Sequence, residues 1–296
     1  MTDEAAMNGW AKSIVEWTEK STAHISVVFS WDLQKAYQRA VFYKSMGYNV
    51  RVGGPAIRGS HVFEGVAEVG GDIPDVVYRH NPQATFTTRG CVRRCPFCIV
   101  PKIEPEFTEL DDFPIRPIIC DNNILASSQY HFDMVCEKLS DLEGVDFNQG
   151  LDSRLLTKHH SEKFARLNNP YLRLAFDSRS YEDRFTKALF MLLDAGISKK
   201  RIGVYVLINF KESPEDALYR LEKVRELGVM PFPMRYQPVD AKEKNTYIEK
   251  GWDEKTVRDM TRYYSRLVHL GFIPFSEYKQ NITHKQEIAV DQMKLL

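Results

Sequence analysis

Thr88-Arg89-Gly90-Cys91-Val92-Arg93-Arg94-Cys95-Pro96-Phe97-Cys98 holds three of the five cysteines of a 296-residue chain within eight positions. Spaced at four and three residues, these thiols can wrap one metal centre from a single loop. An odd total, with three clustered and Cys120 and Cys136 apart, suits metal binding in a reducing compartment better than a disulfide framework. Inert packing of the three is disfavoured by Arg89, Arg93, Arg94 and Pro96, which make a poor core segment. A structural zinc site would want a fourth Cys or His and usually a second knuckle. Here there is one knuckle, and the nearest histidine is His80.

Outward from this stretch the chain alternates. Strand-like runs are expected at 84–88, 117–120, 145–148, 172–176, 202–208 and 230–236, the thiols following the first of them. Amphipathic helices separate the runs. Phe132, Val135, Cys136 and Leu139 share one face, as do Phe185, Ala188, Leu189 and Leu192, with Gly196 placed to end that helix. Ser213 as N-cap, Pro214 at the first helical position and Glu215 with Asp216 in the first turn start the next helix, which Gly228 stops. Strands alternating with helices imply parallel pairing, and a partial or complete barrel is the economical arrangement.

Three thiols without a near fourth leave one iron of a cubane open to an outside ligand, since such clusters commonly take four. CxxxCxxC with an aromatic before the last cysteine resembles the signature of the radical S-adenosylmethionine superfamily. The resemblance covers about residues 84–240 and implies an α/β fold with a partial (βα)6 TIM-like barrel. It implies an enzyme that holds a [4Fe–4S] cluster on Cys91, Cys95 and Cys98, and cleaves S-adenosylmethionine reductively to a 5′-deoxyadenosyl radical. That radical would abstract hydrogen from a substrate that the residues do not identify. By the same resemblance the cofactor contacts fall on loops at the C-terminal strand ends. They are Phe97; Asp121, Asn122 and Asn123 for the amino group; Gln149, Asp177 and Ser178 toward the ribose and methionine portion; and Asn209 on the adenine side. Arg235 is the candidate grip for a carboxylate. The segment around Asn209 departs from the family form by lacking glycines. No catalytic side chain stands out; Cys120, Tyr205 and Tyr236 are nominees for a hydrogen donor.

Ahead of the thiols, His24 to Phe29 reads as a strand, a helix with Leu33, Ala36, Tyr37 and Ala40 on one face follows from Asp32, and Tyr48 to Val52 reads as a second strand. With the apolar run Val76-Val77-Tyr78, residues 1–82 form a small Rossmann-like βαβ segment. It resembles a truncated cobalamin-binding-type domain, but no Asp-x-His-x-x-Gly stretch supplies a cobalt ligand. Residues 83–240 form the barrel, and 241–296 a helical C-terminal extension with Val257, Met260, Tyr264 and Leu267 or Val268 on a face, then a polar tail.

Lys plus Arg and Asp plus Glu both total 40, so no overall basic field draws the chain to nucleic acid or an anionic membrane. No apolar run approaches the roughly 20 residues that span a bilayer, so a cytoplasmic protein is expected. A small-molecule or locally recognised macromolecular substrate fits this balance. Arg89, Arg93 and Arg94 make a local patch suited to an acidic flavodoxin or ferredoxin as electron donor. A zinc-binding structural or interaction protein without catalysis, and a nucleic-acid modifying enzyme within the radical family, are the other readings.

Overall fold

The computed structural model describes residues 9–57, 60–71, 73, 75–267 and 273–278. Its first sheet runs β1 (Val15–Glu19), β2 (Thr22–Ser26), helix α1 (Leu33–Ser45), β3 (Asn49–Gly53) and β4 (Glu68–Val69), ordered β1-β2-β3-β4. The parallel β2-α1-β3 unit is the expected one, and its core is Ile25, Val27, Ala36, Ala40, Val50, Val52 and Phe63. Antiparallel β1 was not legible, because its two-residue turn at Lys20-Ser21 puts Lys20 at φ 52 without the Asn or Gly that advertises such a hairpin. Val76-Val77-Tyr78 is corrected to helix α2 (Val76–His80), whose buried Val77 and His80 sit three residues apart on one face.

The chain continues through β5 (Ala84–Thr85), β6 (Thr88–Arg89), α3 (Val100–Ile103), β7 (Thr108–Glu109), β8 (Ile118–Ile119), α4 (Gln129–Leu139), β9 (Asp146–Leu151), α5 (Lys158–Ala165), β10 (Tyr171–Ala175), α6 (Glu182–Asp194), β11 (Ile202–Ile208), α7 (Pro214–Glu226), β12 (Met230–Arg235) and α8 (Glu254–Tyr264). Six of these strands form one parallel sheet in chain order, β5-β8-β9-β10-β11-β12. The class is therefore α/β, with a strand at each of the six places expected. The first is interrupted: β5 stops at Thr85, and β6 leaves to pair antiparallel with β7. Asp121 explains the break, since its buried carboxylate accepts from the Thr87 N–H at 2.6 Å and from the Thr87 hydroxyl, turning the chain out of the sheet.

The face of the sheet that carries Phe147, Leu172, Leu174, Val204 and Val206 packs under the helices. α7 begins as its sequence dictates, Ser213 Oγ accepting from Asp216 N at 3.2 Å with Pro214 next, and Gly228 at φ 79 follows its end. α8 adds Val257, Met260, Tyr263 and Tyr264 to this same core. Burial is worth roughly 1.5–3 kcal/mol for side chains such as Val257 and Met260, so this helix is bound to the sheet rather than appended to it. Val268 and residues 279–296 lie outside the described residues. On the opposite face Gly203 is needed for space: a Cβ there would stand 2.7 Å from the Phe232 ring and 3.1 Å from Tyr171 Oη. No helix among the described residues is long and apolar enough to cross a membrane.

Candidate functional site

The cysteine loop leaves β6 through Gly90, at φ 73, where any Cβ would overlap the Glu106 carbonyl. Glu104 secures this exit by accepting from Gly90 N at 2.8 Å, Asn122 Nδ2 at 3.0 Å and the Arg89 guanidinium. Within the loop Cys98 N donates to Cys95 O at 3.0 Å, closing a turn. Cys91, Cys95 and Cys98 are free and half-buried, whereas Cys120 and Cys136 are 4% exposed and packed in apolar clusters. Burial pushes the Cys95 and Cys98 thiols up, and a hydrogen bond from the Arg154 side chain draws Cys95 part of the way back. Cys91 Sγ accepts from Arg93 N at 3.3 Å and Asn123 Nδ2 at 3.4 Å.

Asp152 is the anchor between this loop and the end of β9. It accepts from Arg93 Nε at 2.8 Å, Arg154 Nε at 2.6 Å and Arg154 Nη2 at 3.1 Å. Burial alone would raise its pKa, but the two guanidinium groups outweigh that and hold it below the usual carboxylate range. Beyond the anchor opens a cleft of about 440 Å³ whose walls include Cys95, Phe97, Arg154, Asp177, Phe210 and Arg220. Asp177 Oδ1 accepts from Leu207 N at 3.0 Å. Its carboxyl is pushed up to about 6 by burial, against the pull of Arg220 and Arg154. Arg220 is 2% exposed, donates to Phe176 O at 3.1 Å and to Glu212 Oε2 at 2.7 Å, and leaves its Nε without a partner among the described residues.

Among the described residues no group of three His, Cys, Asp or Glu side chains is gathered tightly enough to hold one metal ion. A cubane asks each thiolate for a separate iron, so its ligands need not converge on a point. The donor set present, three thiols on one loop with two N–H donors aimed at the Cys91 sulfur, fits that group. Asn123 fits the ligand of an open iron: its Nδ2 touches Cys91, while its Oδ1 is buried with no hydrogen-bond partner among the described residues.

No family model matches this chain, and no curated protein matches it. Solved structures resemble it only distantly. One is the radical S-adenosylmethionine methyltransferase TsrM from Kitasatospora setae with cobalamin and a [4Fe–4S] cluster bound, 11% identical with a TM-score of 0.48. The match covers 74% of this chain and 64% of TsrM, so the chain spans less than two thirds of that protein. Another is the dihydropteroate synthase FolP from Clostridium difficile in the presence of pteroic acid, 13% identical with a TM-score of 0.27, covering 68% of this chain and 67% of the other.

The sequence candidates divide sharply in space. Phe97, Asp177 and Ser178 line the cleft, and Phe97 meets Phe210 edge-on at 5.8 Å. Asn123 faces the cysteine loop, and Asn122 braces it through Glu104. Asp121 is engaged by Thr87, and burial raises its pKa despite those bonds. Gln149 is exposed on β9, outside the residues lining the cleft. Asn209, at φ 62 and fully buried, has its amide saturated: Nδ2 donates to Tyr236 O and Tyr247 O, and Oδ1 accepts from Glu249 N. Arg235 pairs in register with Ile208, hence faces the helix-covered side, and donates to Tyr247 O at 3.1 Å.

Three residues that matter here went unremarked in sequence: Glu104, Arg154 and Arg220. Arg220 carried a signal, since it shares the apolar face of Ala217, Leu221 and Val224, and a charge on a core face calls for a buried partner. A second, larger cleft of about 960 Å³ lies between α5 and α6, with no cysteine on its walls. Arg154 is common to both.

Proposed function

We propose that Cys91, Cys95 and Cys98 hold a [4Fe–4S] cluster, that S-adenosylmethionine binds in the adjoining cleft, and that the chain is a radical S-adenosylmethionine enzyme. The parallel sheet is then a partial (βα)6 barrel over residues 83–240, with residues 1–82 ahead of it and 241–296 behind. When bound, the cluster and S-adenosylmethionine would supply one-electron cleavage of a sulfonium to a radical able to abstract hydrogen.

Asn123 is the observation that carries this reading. A buried acceptor without a partner costs roughly 1–3 kcal/mol, and this one sits beside the Cys91 sulfur. An ammonium bound at that point removes the cost. Asp152, through Arg93 and Arg154, holds the loop to the sheet so that the three thiols keep their relative positions. Phe97 and Phe210 form an apolar wall that excludes water. Asp177 and Ser178 offer acceptors suited to a hydroxyl-rich ribose. Arg220, buried behind them, keeps Asp177 ionised at neutral pH against the pull of burial.

The test is anaerobic reconstitution with iron and sulfide, followed by dithionite and S-adenosylmethionine, for the wild type and a Cys95→Ala variant. A brown protein that forms 5′-deoxyadenosine and methionine, with both products lost in the variant, is expected. A colourless protein that retains zinc and leaves the cofactor whole would overturn the proposal in favour of a metal-binding interaction module.

A further inference from the structure

The basic patch read from Arg89, Arg93 and Arg94 is largely neutralised in the fold. Arg89 pairs with Glu104 and lies over the Phe86 ring, and Arg93 pairs with Asp152. Only Arg94 of the three is exposed, and it lines the cleft proposed for the cofactor. A protein that delivers electrons to the loop therefore needs another face.

The groove between α5 and α6 supplies one. Arg154, Lys158, Arg184 and Lys187 line it against Glu162 and Asp194. Lys158 stands 3.7 Å from Glu162, one turn along α5, and both are exposed. Arg184 and Lys187 are exposed and have no ion-pair partner among the described residues. At one wall of the groove stands Arg154, which also lines the cleft that Cys95 borders. The groove thus joins unpaired positive charge at the surface to the cleft beside the cysteine loop across a single shared side chain.

We infer that this groove docks an acidic one-electron carrier protein, with Arg184 and Lys187 steering it and Arg154 forming the wall shared with the cysteine-loop cleft; this inference rests on the cluster proposed above. Opposite surface charge raises encounter rates and fixes orientation more than it adds to affinity. In the transfer the carrier is oxidised by one electron and the cluster is reduced by one, with no bond made or broken.

Flavodoxin serves as the probe, and its binding in the oxidised form is followed by flavin fluorescence over a range of salt on the full chain. An Arg184→Glu/Lys187→Glu variant is expected to bind roughly tenfold more weakly at low salt with a flattened salt dependence. In reconstituted protein, reduction by flavodoxin semiquinone or hydroquinone slows to match, while reduction by dithionite is unchanged. Arg94→Glu, on the cleft side, leaves flavodoxin binding at the wild-type level. Undiminished binding in the double variant, an equal loss in Arg94→Glu, or a groove that proves to capture RNA while flavodoxin is unaffected by its charges, would each overturn the docking face. These outcomes leave the cluster standing. A chain that never takes up iron refutes the cluster first, and the docking face falls with it.

Discussion

Asp152→Asn isolates the link that ties the cysteine loop to the sheet. The side chain is 7% exposed and accepts four hydrogen bonds, three from guanidinium nitrogens and one from Arg154 N at 3.1 Å. Breaking one partner out of a fully buried ion pair costs roughly 3–5 kcal/mol. Here Arg93 and Arg154 keep 35% and 27% of their side-chain surface, so water recovers part of the loss, and about 2–3 kcal/mol is expected. The pH dependence carries a sign. The folded-state pKa lies below the ordinary 3.8, so the charge contributes its full stability above about pH 5 and loses it as pH falls below 3.8 toward the folded value. Guanidinium denaturation of the cluster-free chain in reductant should show the variant less stable by that amount at pH 7, with the gap narrowing in acid. A difference under about 0.5 kcal/mol at pH 7, or one that does not narrow, would refute the claim that this ion pair fastens the loop.

Asn209→Ala should cost about 3–4 kcal/mol, because it strands Tyr236 O, Tyr247 O and Glu249 N and forces a Cβ residue to hold φ 62. Asn209→Gly should cost less by about 1 kcal/mol, since it relieves only the backbone; equal melting temperatures for the two would contradict the assignment. Asp177→Asn should stabilise the chain above pH 6 by on the order of 1–2 kcal/mol and change little at pH 4. With its folded pKa raised to about 6, this carboxyl costs stability as pH rises from 3.8, and a flat wild-type-minus-variant profile would sink the point. Asn123→Leu removes an unpartnered buried oxygen, so stability should hold within about 1 kcal/mol while S-adenosylmethionine binding by the reconstituted protein, measured by equilibrium dialysis, weakens roughly tenfold. Unchanged binding would detach Asn123 from the cofactor.

The legible parts of this fold were those with local causes. Hydrophobic period placed a strand near each of six positions in the parallel sheet, and Ser213, Pro214 and Gly228 bounded α7 through interactions within a turn of its ends. The spacing of Cys91, Cys95 and Cys98 predicts a shared loop, because so few residues cannot carry thiols far apart. The polar contacts around that loop were less legible. Asp121 and Asn123, two residues apart, read as one motif, yet Asp121 turns back to Thr87 and Asn123 toward Cys91.

The sequence by itself determined an alternating α/β chain with three thiols on one loop. Tertiary structure alone decided which charges meet them. Asp152 lies 59 positions from Arg93, and Arg220 lies 44 positions from the Phe176 carbonyl it holds. The register of β12 on β11 turned Arg235 to the helix-covered side. Whether a charged side chain faces a cofactor, a partner or the core depends on where distant strands end. That is set by packing summed over the whole sheet, and no short stretch of sequence encodes it.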